Sequence, residues 1–260
     1  MTRGSAWLWC AALAAYVFLY APLAIVVLYS FNDSRLNAQW VGFTLAWYEK
    51  LLHNEPMLIA ARNSLLIALA AAAASTVLGT LAGFALHRHR PRLLAPLVLA
   101  TIAIPEILMG VSLLIFFVLL NVTLGMVSII LAHITFCIGF VALVVRARLA
   151  GMDESLTEAA RDLGATPAQA FRWVTLPLIM PGVVAGALMA FTLSLDDFVI
   201  TFFTAGAGSS TLPLQIYTMV KIAVTPEVNA VSTLLMLLTL TLILVATRLS
   251  PSVLQTENRR

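Results

Sequence analysis

Four ionisable residues lie well inside apolar runs: Glu106, His133, Asp196 and Asp197. A charge in hydrocarbon costs at least about 2.5–3.5 kcal/mol on insertion scales, so such groups face a polar pathway or one another. At 1.5 Å per residue, Glu106 falls roughly 20 Å from the inner start of its span, and the Asp pair roughly 24 Å from theirs. His133, counted down from the outer end of its own span, reaches a similar level, in the outer half of a bilayer. Acids at one depth suit a cation that sheds water as it passes. The other reading is structural: Pro105-Glu106 and Asp196-Asp197 mark helix breaks whose carboxylates cap freed N–H groups. From the residues alone both readings stand.

A second set of residues lies in the segment 146–177. Ser155 with Glu158 three positions later predicts a capping box that starts a short helix, and Gly164 supplies the left-handed residue that ends it. Thr166, Pro167 and Gln169 repeat the device: a side-chain N-cap, a proline where its missing N–H costs nothing, and an amide that reaches back to the cap. The second helix is expected to run to about Trp173, carrying Phe171 and Trp173 as exposed aromatics. About 30 residues between spans is a length that usually signals a functional or docking element.

The elements that hold these residues follow from composition. The 260 residues are 61% apolar and 10% charged, against about 45–50% and 25% in soluble domains, which argues against a water-soluble fold. A helix crosses the hydrocarbon with about 20 apolar residues. Six spans are predicted, near Ala6 to Phe31, Ala60 to Leu86, Leu93 to Leu120, Gly125 to Val145, Leu178 to Phe203 and Val228 to Leu249. None alternates with period two as barrel strands do. The fold class expected is an all-α integral membrane protein, one domain over residues 1–260, without internal repeats or low-complexity tracts. The first apolar run is longer than a signal-peptide core of about 7–15 residues, so it reads as a span. Cys10 and Cys137 read as small buried hydrophobes, with no disulfide and no metal site.

With both termini in the cytoplasm, inner segments carry Arg3, Arg88, Arg90, Arg92, Arg146, Arg148, Arg161, Arg172, Arg248, Arg259 and Arg260. Outer segments carry only Arg35, Lys50, Arg62 and Lys221. The positive-inside rule selects this orientation, and basic residues collected at span ends do not form a nucleic-acid surface. The outer segment from Asn32 to about Ile59 holds Trp40, Trp47 and Tyr48, which suit a helix lying at the membrane interface.

Glu158-Ala159-Ala160, then Gly164, then Val174 and Leu176-Pro177 resemble the cytoplasmic signature of permease subunits in binding-protein-dependent ABC importers, with Val where Ile is frequent. The resemblance implies a coupling helix that seats on a cytoplasmic ATPase subunit. Glu158, Ala159, Ala160 and Gly164 would shape it, with Arg161, Asp162 and the Thr166, Pro167, Phe171 and Trp173 helix at or near the contact. Ile104-Pro-Glu-Ile-Leu-Met-Gly110, Ser194-Leu-Asp-Asp-Phe198, Leu212-Pro-Leu-Gln-Ile-Tyr217 and Pro226-Glu-Val-Asn-Ala230 extend the likeness to the second permease subunit of spermidine/putrescine importers. That implies a polyamine, delivered by a periplasmic binding protein to a permease heterodimer on two ATPase subunits in the bacterial inner membrane. Glu106, His133, Asp196 and Asp197 would then belong to the substrate pathway.

The chain has no Gly-x-x-x-x-Gly-Lys-Ser/Thr loop, so no cofactor is expected in it; ATP and Mg²⁺ would be bound by the partner ATPase. No nucleophile–base constellation stands out in the soluble segments, which argues against an enzyme. Three rivals remain: a permease of the same class carrying another small solute, a stand-alone secondary transporter or channel using the intramembrane acids, and a non-transporting assembly subunit. Secondary carriers commonly show inverted repeats; none is visible here, and a docking loop would have no purpose in one. An assembly subunit would leave the buried acids unexplained.

Overall fold

A computed structural model describes residues 3–34, 39–88 and 93–249. Arg35, Arg90, Arg92, Arg259 and Arg260 of the predicted charge bias lie outside the described residues. The described residues form helices joined by loops: α1 (Arg3–Tyr29), α2 (Ala46–Leu52), α3 (Glu55–Arg88), α4 (Leu94–Ala103), α5 (Glu106–Leu119), α6 (Met126–Ala150), α7 (Ser155–Asp162), α8 (Pro167–Ala170), α9 (Leu176–Asp196), α10 (Val199–Thr204), α11 (Leu212–Ile222) and α12 (Pro226–Leu249). A π-turn, Phe171–Thr175, joins α8 to α9. Among the described residues the only strand-like pairing is an isolated bridge between Asn32 and Phe43.

Four of these helices are long and apolar enough to cross a membrane, five if the bent pair α4 and α5 makes one span. Within the span predicted for Leu93 to Leu120 the two helices are bent by 112°, at the Pro105-Glu106 position that the helix-break reading named. Ile104 is extended (ψ 128°) and Pro105 follows with ψ 136°, because proline lacks the N–H that would continue the ladder and biases its predecessor away from helical geometry. Depths counted along a straight rod therefore do not hold for Glu106. Apolar side chains face outward along most of α1, whose apolar window buries nothing. Cys10 is exposed there, which corrects its assignment as buried; Cys137 is buried as expected.

The chain divides into two compact units, Met1–Leu58 with Gln215–Leu240, and Ile59–Leu214 with Thr241–Arg260. In the larger unit α6 is the central helix. Its Ala132, Phe136, Cys137, Val141, Val145 and Leu149 form one buried cluster with Ile179 and Ala190 of α9 and Ile200 of α10. Close approach of α3 to α6 depends on small residues: a Cβ on Gly83 would stand 2.7 Å from the Ala142 carbonyl oxygen. In lipid, where apolar burial gives helices little reason to associate, such backbone-to-backbone contact is a main source of packing energy.

In the smaller unit the loop after α1 is organised by Asn32, which is fully buried. Its Nδ2 donates to the Gln39 carbonyl at 2.8 Å, and its Oδ1 accepts from the Val41 N–H at 2.9 Å. Trp47 Nε1 donates to the Asn32 carbonyl at 2.8 Å, and the Phe31 ring stacks on Phe43 and lies tilted against Tyr48. One helix, α2, seven residues long, lies in this segment.

Candidate functional site

Asp196 ends α9, and the chain turns at Asp197 (ψ 125°) before α10 begins. The span predicted from Leu178 to Phe203 is thus interrupted at the Asp pair, as the helix-break reading of that pair expects. The Asp197 carboxylate explains the break locally. Its Oδ1 accepts from the Ile200 N–H at 3.0 Å and the Thr201 N–H at 3.1 Å, and its Oδ2 from the Ile200 N–H at 3.2 Å. The first turn of a helix always leaves N–H groups unsatisfied, and in an apolar surrounding a carboxylate is the strongest acceptor available.

Behind the cap sits His133 of α6, 1% exposed. Its Nδ1 lies 2.7 Å from Ser194 Oγ and its Nε2 3.0 Å from Thr201 Oγ1. A neutral imidazole has one donor and one acceptor nitrogen, and each hydroxyl can supply the complementary role. The nearest Asp197 oxygen is 3.7 Å from Nε2, outside hydrogen-bond range. Ser194, His133 and Asp197 thus meet without the order a nucleophile needs: both imidazole nitrogens are already occupied and the group is closed to solvent.

The four ionisable residues therefore divide in role. Asp197 and His133 are buried and committed to internal bonds. Asp196 and Glu106 are exposed, and Glu106 lies within electrostatic range of both aspartates. α10 packs on α5, the helix that Glu106 begins, and this contact brings the acids of separate helices to one place. Sequence reading did not single out Ser194 and Thr201 as the partners of His133; the polar residues flanking the Asp pair were the available signal. Among the described residues no His, Cys, Asp and Glu group has the arrangement of a metal site.

The second candidate region is the segment 146–177. Gly164 has φ +91°, the left-handed value predicted for it. Thr166 Oγ1 accepts from the Gln169 N–H at 3.3 Å, and Gln169 Oε1 accepts from the Thr166 N–H at 2.8 Å, the reciprocal pair expected of a capping box. Three expectations need correction. Ser155 does not cap α7: Asp153 Oδ1 accepts the Ser155 N–H at 3.0 Å, an Asx turn that starts the helix one residue early, with Glu154 at the cap position. The second helix does not end at Trp173, since the π-turn carries it into α9 and the whole runs from Pro167 to Asp196. Phe171 is not freely exposed; it packs edge-to-face on Phe84 of α3, centroids 4.8 Å apart. Trp173 remains 71% exposed.

A cavity of about 380 Å³ opens beside α7, lined by Phe84, His87, Arg88, Glu154, Glu158 and Arg161 among others. His87 Nε2 and Glu154 Oε1 are 3.2 Å apart across its edge. Glu158, Arg161 and Asp162 thus stand on an exposed, charged face, with Ala159 and Ala160 on the same short helix.

Comparison with known proteins identifies the scaffold. Residues 75–255 match the family described as binding-protein-dependent transport system inner membrane component. The chain is 43% identical over 234 residues to the spermidine/putrescine transport system permease protein PotC of Escherichia coli K12, covering 89% of each chain. It is 44% identical to the putrescine transport system permease protein PotI of the same strain, covering 86% of this chain and 83% of that one. Its fold resembles a solved chain from a bacterial ABC transporter involved in the import of alginate, with a TM-score of 0.74 at 17% identity over 95% of this chain and 98% of that one. A chain of the MetNI methionine ABC transporter gives 0.62 at 24% identity over 77% and 99%. The chain belongs to the family of inner-membrane components of binding-protein-dependent transport systems, and is a multi-pass permease subunit rather than an enzyme.

Proposed function

We propose that this subunit forms the membrane pathway for a polyamine cation, spermidine or putrescine, in an ATP-driven importer of the bacterial inner membrane. The observation that carries the reading is the exposed acid pair Glu106 and Asp196, set on a scaffold that the buried Asp197 cap and His133 hold rigid. Two carboxylates open to a pathway can replace part of the hydration a polycation loses on entering a low-dielectric space. The names of the relatives at 43–44% identity supply the solute class. On this reading Asp197 and His133 position the exposed acids rather than touch the solute.

The arrangement completing it has six spans, with the bent pair α4 and α5 as the third and α12 as the last, both termini cytoplasmic, and residues 146–177 as the coupling loop. A second permease subunit pairs with this one, and lipid and that subunit cover the exposed apolar face of α1. Two ATPase subunits bind ATP and Mg²⁺ and receive α7 and the Trp173 side chain. A periplasmic binding protein delivers the solute to the outer loops. ATPase closure moves the loop, and because α8, the π-turn and α9 form one continuous helix, that motion reaches the Asp pair directly.

The test is uptake of radiolabelled putrescine and spermidine by cells lacking their own polyamine importers and expressing the full subunit set, with Asp196→Asn and Glu106→Gln alongside. ATP-dependent uptake that falls sharply in both variants at unchanged membrane levels supports the reading. No uptake despite a bound and active ATPase overturns the polyamine assignment, and full uptake in both variants overturns the acidic pathway.

A further inference from the structure

Lys50 and Glu227, 177 residues apart in sequence, meet in the smaller unit with Lys50 Nζ 2.6 Å from Glu227 Oε2. The pair is asymmetric: the lysine side chain is 60% exposed and the glutamate 8%. The other carboxylate oxygen is held by a neighbouring amide. Asn54 Nδ2 donates to Oε1 at 2.8 Å, and the Asn54 orientation is itself set by Oδ1 accepting the Met57 N–H at 3.2 Å. This leaves Oε2 as the free acceptor. The Trp47 ring stands 5.7 Å from the same ammonium, and that ring is held by its Nε1 bond to the Asn32 carbonyl.

A carboxylate oxygen opposite an aromatic face is the chemistry that recognises an alkylammonium. A nearly buried carboxylate must keep a cation, yet the cation here arrives on a flexible stem from solvent and forms a pair of the partly exposed kind that contributes little. We infer that Glu227, Asn54 and Trp47 form a binding site for a primary alkylammonium, which Lys50 occupies in the absence of solute and yields by exchange to the ammonium of a polyamine. Lys50 then acts as a tethered competitor that tunes affinity and leaves Glu227 neutralised between turnovers. The transport consequence rests on the polyamine reading above; the ammonium site does not.

The first experiment uses the assembled importer with Lys50→Ala and follows its melting temperature on adding n-butylammonium, which carries the ammonium and four-carbon stem of a lysine side chain. A rise with n-butylammonium, absent with n-butanol and absent in Lys50→Ala/Glu227→Gln, is expected. No ammonium-specific rise, or an equal rise without Glu227, overturns the site. The second experiment measures putrescine uptake in Lys50→Met, which keeps the apolar stem and so also serves if Lys50→Ala does not assemble. Loss of a competitor held by a partly exposed ion pair lowers KM about two- to fivefold, whereas Glu227→Gln raises it. Changes of the same sign in both variants, as a merely structural tie would give, overturn the exchange. An ammonium-specific rise in Lys50→Ala, alongside a wild-type importer that takes up no polyamine, upholds the site and refutes the polyamine assignment.

Discussion

Replacing Asp197 by alanine separates the structural from the transport role of the Asp pair. The substitution removes the acceptor of two backbone N–H groups, those of Ile200 and Thr201, and both residues are fully buried. Loss of a side-chain cap costs about 0.5–2 kcal/mol, and each buried donor left without a partner about 1–3 kcal/mol. The desolvation cost of the carboxylate, which the variant no longer bears, offsets part of the sum. We expect a net loss of about 2–4 kcal/mol, with Asp197→Asn losing less because one acceptor oxygen remains. Asp196, exposed at the end of α9, behaves as a surface position, within about 0.5 kcal/mol for Asp196→Asn. For a chain of this size about 1 kcal/mol moves the melting temperature by roughly 2–4 °C. Thermal denaturation of the assembled importer in detergent should thus show Asp197→Ala melting several degrees lower, while Asp196→Asn stays near wild type but loses polyamine uptake. If Asp197→Ala melts with the wild type, or Asp196→Asn is equally destabilised, the division between buried cap and exposed pathway acid is refuted.

Gly83→Ala sets a Cβ 2.7 Å from the Ala142 carbonyl and 3.2 Å from Val145 Cβ, and overpacking of this kind costs about 1–3 kcal/mol, to be read as a lowered melting temperature. Gly164→Ala forces a side chain into φ +91° at about 1–2 kcal/mol and should loosen solute-stimulated ATP hydrolysis; Gly151→Ala, where the new Cβ meets only the Arg148 carbonyl at 3.8 Å, should leave it intact. Trp173→Ala should leave the melting temperature of the isolated permease pair unchanged and weaken capture of the ATPase subunit in a pull-down; unaltered capture would remove Trp173 from the docking face. Asp153 is held below the usual carboxylate range by the hydroxyl and then the backbone N–H of Ser155. Its contribution to the start of α7 is therefore present above the ordinary carboxylate pKa and lost as pH falls through the lowered folded value, so Asp153→Asn should flatten the acid limb of coupled ATPase activity.

Signals that act over a few residues were legible without coordinates. Apolar runs longer than a bilayer is thick predict α1, α3 and α6 because every backbone N–H and C=O must then be satisfied within the helix. Gly164, Thr166-Pro167 and Gln169 specified the second half of the segment 146–177, since the bonds they make close within three or four residues. Pro105 and the Asp pair marked helix breaks for the same reason. Near Ser155 two short-range devices competed, and the Asx turn from Asp153 took precedence over the capping box; spacing alone does not rank them.

What the tertiary structure alone decided was which of two chemically equal side chains faces out. Asp196 and Asp197 are adjacent and identical in type, and only the seating of α10 on α5 and α6 buries one as a cap and leaves the other exposed. Packing likewise chose Ser194 and Thr201 for His133, turned Phe171 inward onto Phe84, and brought Glu227 under Lys50. The partners in each case come from elements far apart in the chain, and a local sequence pattern carries no information about which distant surface its element will meet. Helix positions follow from the cost of an unsatisfied backbone, whereas side-chain roles follow from the single packing in which these helices fill space together.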